Sequence, residues 1–164
     1  MASLGFRRDE KQNVPFPDGS RSGQVGSWKA GTDLERTILT SLGVDMTGAV
    51  LRDGSGLSHE NRVTAEQITK LLVRMYSHRH SAAFMASLAV PGRDGSMRRR
   101  YAEPLLTERL RGKTGTISGV HTLAGYATRP DGTVLAFAIM CNTDADPNLA
   151  LKVARVLVGG EAGK

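Results

Sequence analysis

The chain has 164 residues, 40% of them hydrophobic and 23% charged, with a formal net charge of +6 at pH 7. That is one domain's worth of globular chain, and no stretch approaches the ~18 apolar residues of a membrane-spanning helix. The basic balance raises nucleic acid as a partner. However, the basic residues are scattered apart from Arg98-Arg99-Arg100, and aromatic content is 5%, too low for base-stacking platforms, so no nucleic-acid partner is expected. The single cysteine, Cys141, excludes an internal disulfide and a Cys-rich metal site; in its apolar run it reads as a small buried hydrophobe.

Residues 1–27 are rich in Gly, Ser, Pro and charge and read as an irregular lead-in. No apolar run follows the basic start through Arg8, so no signal peptide is expected. Thr32-Asp33-Leu34-Glu35 has the form of a capping box, ahead of Ile38, Leu39 and Leu42 at helical spacing, with Gly43 as the helix stop. Ala49-Val50-Leu51 is a short strand candidate, followed by the loop Asp53-Gly54-Ser55-Gly56-Leu57-Ser58. Thr64 and Gln67 open a second helix whose apolar face is Ile68, Leu71, Leu72 and Met75. A shorter helix runs from Ser81 to Leu88, stopped by Pro91-Gly92, and a basic connection leads to Leu105–Leu110. Strands are expected over 111–117, 121–128 and 134–141, with Pro130-Asp131-Gly132 as the turn between the last two. Val134–Cys141 is apolar without alternation, which predicts cover on both faces. A closing helix spans about Pro147 to Val158. Helices, then antiparallel sheet, then a helix make an α+β fold.

Lys113-Thr114-Gly115-Thr116 is the informative tetrapeptide. In penicillin-binding proteins and serine β-lactamases, Lys-Thr-Gly accompanies a Ser-x-x-Lys helix start and a Ser-Asp-Asn loop. A strand edge can bind a substrate backbone by strand addition, and Gly115 lets that backbone approach. The Lys113 ammonium supplies positive charge, and the hydroxyls of Thr114 and Thr116 can bind a terminal carboxylate. Taken alone, the tripeptide reads as an ordinary surface strand.

Its context is more specific. Gly112 to Tyr126 resembles the C-terminal sheet of the D-Ala-D-Ala carboxypeptidase/endopeptidase family, the low-molecular-mass class C penicillin-binding proteins. Gly26-Ser27-Trp28-Lys29-Ala30-Gly31 resembles the same family, as do Asp53–Ser58 with Asn61 and Arg62, and Leu88–Met97. The resemblance implies a fold like the C-terminal portion of a β-lactamase or penicillin-binding-protein transpeptidase domain, here over residues 28–160. It implies a serine-type peptidase that attacks peptidoglycan peptides ending in D-Ala-D-Ala through an acyl-serine, is acylated by β-lactams, works in the periplasm or outside the cell, and needs no cofactor or metal. Lys113 carries over as the catalytic lysine of the strand, and Thr114, Gly115 and Thr116 as substrate-binding residues.

The sequence holds no Ser-x-x-Lys and no Ser-x-Asn. The nucleophile, its lysine and the Ser-x-Asn pair therefore have no counterpart, and the chain is expected to be inactive alone. Two readings follow: a C-terminal piece of a carboxypeptidase, or a free-standing, non-catalytic module that binds cell-wall peptides.

Other candidates are plainer. Ser55 and Ser58 lie in a Gly-rich turn that lacks the Gly-x-Ser-x-Gly pattern of a nucleophile elbow. His78-x-His80 has no third ligand at metal spacing and reads as an exposed helix end. His121 is either a packed strand residue or faces the cleft. Arg98-Arg99-Arg100 is a solvated connection or a carboxylate-binding segment. Trp28 and Tyr126 read as packing residues.

Overall fold

The structure is a computed structural model that describes residues 27–142 and 148–159. The expected lead-in, apart from Ser27, and the expected helix start at Pro147 lie outside the described residues. The chain divides into two compact units, with the boundary between Val63 and Thr64.

In the first unit, helix α1 spans Trp28–Ser41. It starts four residues before the expected box because Ser27 is the cap, its Oγ accepting from the Ala30 N–H at 3.1 Å. Thr32 therefore sits inside the helix and donates its hydroxyl to the Lys29 carbonyl at 3.1 Å. Gly43 closes the helix as expected, at φ 78°. The Val44 N–H reaches the Leu39 carbonyl at 3.1 Å and the Gly43 N–H reaches Thr40 at 2.9 Å, the paired bonds of a Schellman motif. Arg36 then ties α1 to the following loop by donating to the Met46 and Ala49 carbonyls at 2.9 and 2.6 Å.

The strand expected at Ala49–Leu51 shrinks to one bridge, Val50 with Arg62. The ladder stops because the next N–H, that of Arg52, goes to the Asn61 side chain at 2.8 Å. Trp28, expected to pack, is 73% exposed, and α1 buries no residue fully among those described.

The second unit opens with the predicted capping box: Thr64 Oγ1 accepts from the Gln67 N–H at 3.1 Å and Gln67 Oε1 from the Thr64 N–H at 2.9 Å. Helix α2 (Ala65–Tyr76) is followed by α3 (Ser81–Ser87), a 3-10 turn (Gly95–Met97) and α4 (Pro104–Arg109). Strands β1 (Leu110–Ile117), β2 (Val120–Thr128) and β3 (Val134–Cys141) form one antiparallel sheet in that order, and α5 (Leu149–Leu157) closes the chain. The strand boundaries agree with the sequence reading to within a residue, because the turns after Ile117 and Thr128 are fixed by Gly119 (φ 69°) and Gly132 (φ 85°).

Strand alternation sorts the sheet into two faces. Leu110, Leu123, Ala127 and Phe137 join Met97, Tyr101, Leu106, Ala150, Ala154 and Val158 in one buried cluster, which places α4, α5 and the 97–101 segment on one side. Tyr126 points the other way, toward α2, where its hydroxyl donates to the Leu72 carbonyl at 2.6 Å and its ring lies 5.7 Å from that of Tyr76. β3 thus has a helix over each face, as its apolar run predicts. Only Phe137 is fully buried there, and Cys141, expected to be buried, is half-buried at the strand's end.

The β1–β2 register depends on Gly112 standing opposite Gly125. A Cβ on Gly125 would lie 2.0 Å from the Arg111 carbonyl oxygen and 2.6 Å from the Gly112 Cα. Gly125→Ala should therefore lower unfolding stability by about 2–3 kcal/mol, an overpacking cost that backbone atoms cannot relieve. An unchanged midpoint in urea would show that the strands pair in another register.

Glu103 clamps α4 to α5 through a two-point ion pair, Arg155 Nε and Nη2 donating at 2.8 and 2.5 Å. The Arg155 hydrogen bonds, against the opposing effect of burial, hold the Glu103 carboxyl below its usual range. A depressed folded value means the pair stabilises fully above the ordinary Glu range and is lost as pH falls through the lowered value. Glu103→Gln should lower Tm by a few degrees at neutral pH and by less as the pH drops below that value. An equal Tm loss at both pH values would remove the pair from the account.

Candidate active site

Three observations define the free edge of β1. The N–H and C=O of Gly112 bond Ala89, at 2.9 and 3.0 Å, on the side of the strand away from β2. With a period of two, the backbone groups of Thr114 and Thr116 point to that same side. Beyond Gly112, no strand of the described residues pairs with this edge.

The predicted residues are divided by the pleat. Lys113 and Gly115 lie on one face, Thr114 and Thr116 on the other. The Lys113 ammonium bends to the edge and donates to the Thr114 carbonyl at 2.5 Å. Among the described residues no carboxylate pairs with it, so its charge is uncompensated where the edge is open.

Thr114 is only 6% exposed, and its hydroxyl is hydrogen-bonded to that of Ser96. Thr116 is exposed, and Arg100 Nη1 donates to its Oγ1 at 3.3 Å. Gly115 has a second reason to lack a side chain: a Cβ would lie 2.4 Å from the Thr122 hydroxyl on β2.

The partners of both threonines come from one short segment. Val90 N–H bonds Asp94 Oδ1 at 2.7 Å, and Gly92 and Gly95, both at positive φ, turn the chain back toward the sheet. Met97 and Tyr101 are then buried in the core. Ser96 and Arg100, each one residue earlier, lie against β1. Burial pushes the Tyr101 hydroxyl up, with the Arg100 charge opposing. The sequence marked this stretch as a family-like block but gave no signal that Ser96 reaches Thr114, because the two residues lie 18 positions apart in the chain.

In the first unit, Ser55 and Ser58 accept from nearby backbone N–H groups at 3.3 and 3.2 Å, as turn serines do. Asp53 organises that loop, accepting from Gly56, Ser58 and Asn61. Burial works against it, yet those bonds hold its carboxyl below the usual range. Burial first, and then the Asp53 charge, raise the Glu35 carboxyl.

His78 and His80 lie with ring centroids 5.3 Å apart in the turn before α3. One nitrogen of each accepts a hydrogen bond, from the His80 N–H and from Arg79 Nε, and no cluster of three metal-ligating side chains exists among the described residues. His121 is half-buried opposite Thr116, with Nδ1 enclosed and unbonded.

The model of the D-Ala-D-Ala carboxypeptidase 3 (S13) family matches residues 19–159. A D-alanyl-D-alanine carboxypeptidase of Actinomadura sp. strain R39 is 38% identical over 138 residues, covering 79% of this chain and 25% of that protein. Carboxypeptidase DacB of Mycolicibacterium smegmatis is 33% identical over 126 residues, covering 73% and 27%. The crystal structure of penicillin-binding protein 4 (dacB) from Haemophilus influenzae superposes with a TM-score of 0.70 at 29% identity, covering 77% of this chain and 28% of that one. The chain spans about a quarter of the length of the curated relatives it matches.

Proposed function

Because this chain belongs to the D-Ala-D-Ala carboxypeptidase S13 family, we propose that residues 28–160 form the C-terminal part of its peptidase domain and supply one wall of a serine-type carboxypeptidase site. The substrate is a peptidoglycan peptide ending in D-Ala-D-Ala, met outside the cytoplasmic membrane. The nucleophile comes from a segment with Ser-x-x-Lys and Ser-x-Asn, neither of which occurs in this sequence.

The observation that carries this reading is the open edge of β1. Its outward backbone groups at Thr114 and Thr116 can pair with an extended peptide as an added strand. The ammonium of Lys113, held on the Thr114 carbonyl with no carboxylate partner among the described residues, places fixed positive charge where an acyl-transfer oxyanion or the Ser-x-Asn serine approaches. Gly115 leaves room for the Thr122 hydroxyl on β2, which a Cβ there would displace. β-Lactams, as mimics of the same peptide, meet the same wall. The chain alone binds without reacting, because nucleophilic catalysis requires an activated serine beside a base.

Two measurements test this. Incubated with benzylpenicillin, the isolated chain should show no covalent mass increase; a stoichiometric adduct would transfer the nucleophile to this sequence and overturn the division of labour. Joined to a segment that carries Ser-x-x-Lys and Ser-x-Asn, the wild-type chain should acylate, and Lys113→Ala should slow acylation by roughly 10²–10³. A variant rate within about twofold of wild type would remove Lys113 from the reacting centre.

A further inference from the structure

We infer that Ser96 is a positioning residue: through the Thr114 hydroxyl it sets the tilt of the Thr114 carbonyl, and with it where the Lys113 ammonium stands on the open edge. The inference rests on the functional reading above and deepens it. The ammonium donates to the Thr114 carbonyl at 2.5 Å, so its place depends on where that carbonyl points. The ladder fixes the path of β1 through Lys113 and Gly115, which stand opposite Ala124 and Thr122. The Thr114 carbonyl, however, is on the side away from β2, and no backbone bond of the described residues orients it. The residue that follows is Gly115, which lacks the Cβ that would restrict the peptide between them. Thr114 is held instead by its side chain. Its hydroxyl is bonded to that of Ser96 where the threonine is only 6% exposed, so water competes little for the bond.

Ser96 is itself held from both sides. Ala89 bonds both backbone groups of Gly112 and so anchors this segment at the start of the edge. Gly95 then packs so closely that a Cβ on it would lie 3.0 Å from the Ala89 Cβ, and its φ of 55° turns the next residue toward β1. Immediately after Ser96, Met97 is sunk in the core at 0% exposure. The serine hydroxyl therefore meets β1 at Thr114, two residues beyond the Ala89 bond. A serine that only satisfied a buried hydroxyl would stabilise the fold and do nothing more. Ser96 differs because the hydroxyl it holds belongs to the residue whose carbonyl carries the ammonium.

Two measurements test this. In the full 164-residue chain, NMR of the lysine ammonium groups should show Lys113 as a separate, slowly exchanging resonance in the wild type and in Ser96→Thr, which keeps the hydroxyl. Ser96→Ala should merge it with the solvated lysines. In the chain joined to the Ser-x-x-Lys segment, benzylpenicillin acylation is resolved into initial binding and a first-order acylation rate. Ser96→Ala should slow that rate by about tenfold to a hundredfold while initial binding stays within about twofold, as expected when a reacting group is displaced by a fraction of an ångström to an ångström. Ser96→Thr should recover the rate. Ser96→Cys, whose thiol is a weak donor, should slow it by less than Ser96→Ala and carries the comparison if Ser96→Ala does not fold. Glu103→Gln, which loosens the α4–α5 clamp, should lower Tm without slowing acylation. An unmoved Lys113 resonance in Ser96→Ala, a rate loss matched by Glu103→Gln, or no recovery in Ser96→Thr overturns the inference and leaves the functional reading intact. So does a Ser96→Ala acylation rate within about twofold of wild type. If the joined wild type does not acylate, the functional reading falls, and this inference with it.

Discussion

The pairing of β1 with β2 governs everything that makes this surface specific, and it rests on two glycines facing each other. Gly112 and Gly125 stand opposite in the register, and the strands approach so closely that a methyl group on Gly125 would collide with backbone atoms of β1. A sheet has a side-chain period of two, so a slip of one residue would exchange the faces of every side chain on β1. Lys113 would move to the core side, and Thr114 would lose Ser96. The close approach at Gly125 therefore fixes which chemical groups reach which side of the edge.

A second constraint acts from outside the sheet. The segment from Val90 to Tyr101 is tied down by Asp94, turned by glycines at positive φ, and anchored by Met97 and Tyr101. Its polar residues then fall on β1, with Ser96 at Thr114 and Arg100 at Thr116. Ala89 occupies the beginning of the edge by bonding Gly112. The exposed part of the edge is thus bounded by protein at one end and open along the part that carries the hydroxyls and the ammonium. An unpaired strand edge is ordinarily a site of unwanted pairing, which natural proteins limit by shortening it and placing charge beside it. Lys113 and Arg100 place such charge beside this edge.

Much of this was legible in the sequence, and the reasons differ by element. The capping box at Thr64 and Gln67 was visible because both partners of the motif are local and three residues apart. The strands were visible through the Pro130-Asp131-Gly132 turn and the apolar run at Val134. The box at Thr32 failed because Ser27, a better-placed cap, starts the helix one turn earlier, and nothing in a helix interior forbids a Thr-x-x-Glu spacing. The strand at Val50 failed because Asn61 takes the next backbone donor, a competition between side chain and ladder that sequence pattern does not register. At the site, Lys113-Thr114-Gly115-Thr116 was legible from composition, but its division into two faces with different partners was not. Ser96 and Thr122 reach it from 18 residues upstream and from the adjacent strand.

The distribution of charge on β1 follows from what its two faces touch. Thr114 lies over a buried apolar cluster, where an unpartnered hydroxyl is costly, and Ser96 removes that cost with a hydrogen bond that also pins the overlying segment. One pleat further on, Thr116 clears the core, so its hydroxyl tolerates an exposed arginine as partner. Lys113 cannot share this face without burying an ammonium among Leu110, Leu123 and Phe137, which an uncompensated charge does not tolerate. It therefore lies on the opposite face and reaches the edge only by bending back to the Thr114 carbonyl. Core burial on one side of a single strand thus keeps the two cations on separate faces while both remain within reach of the same open edge.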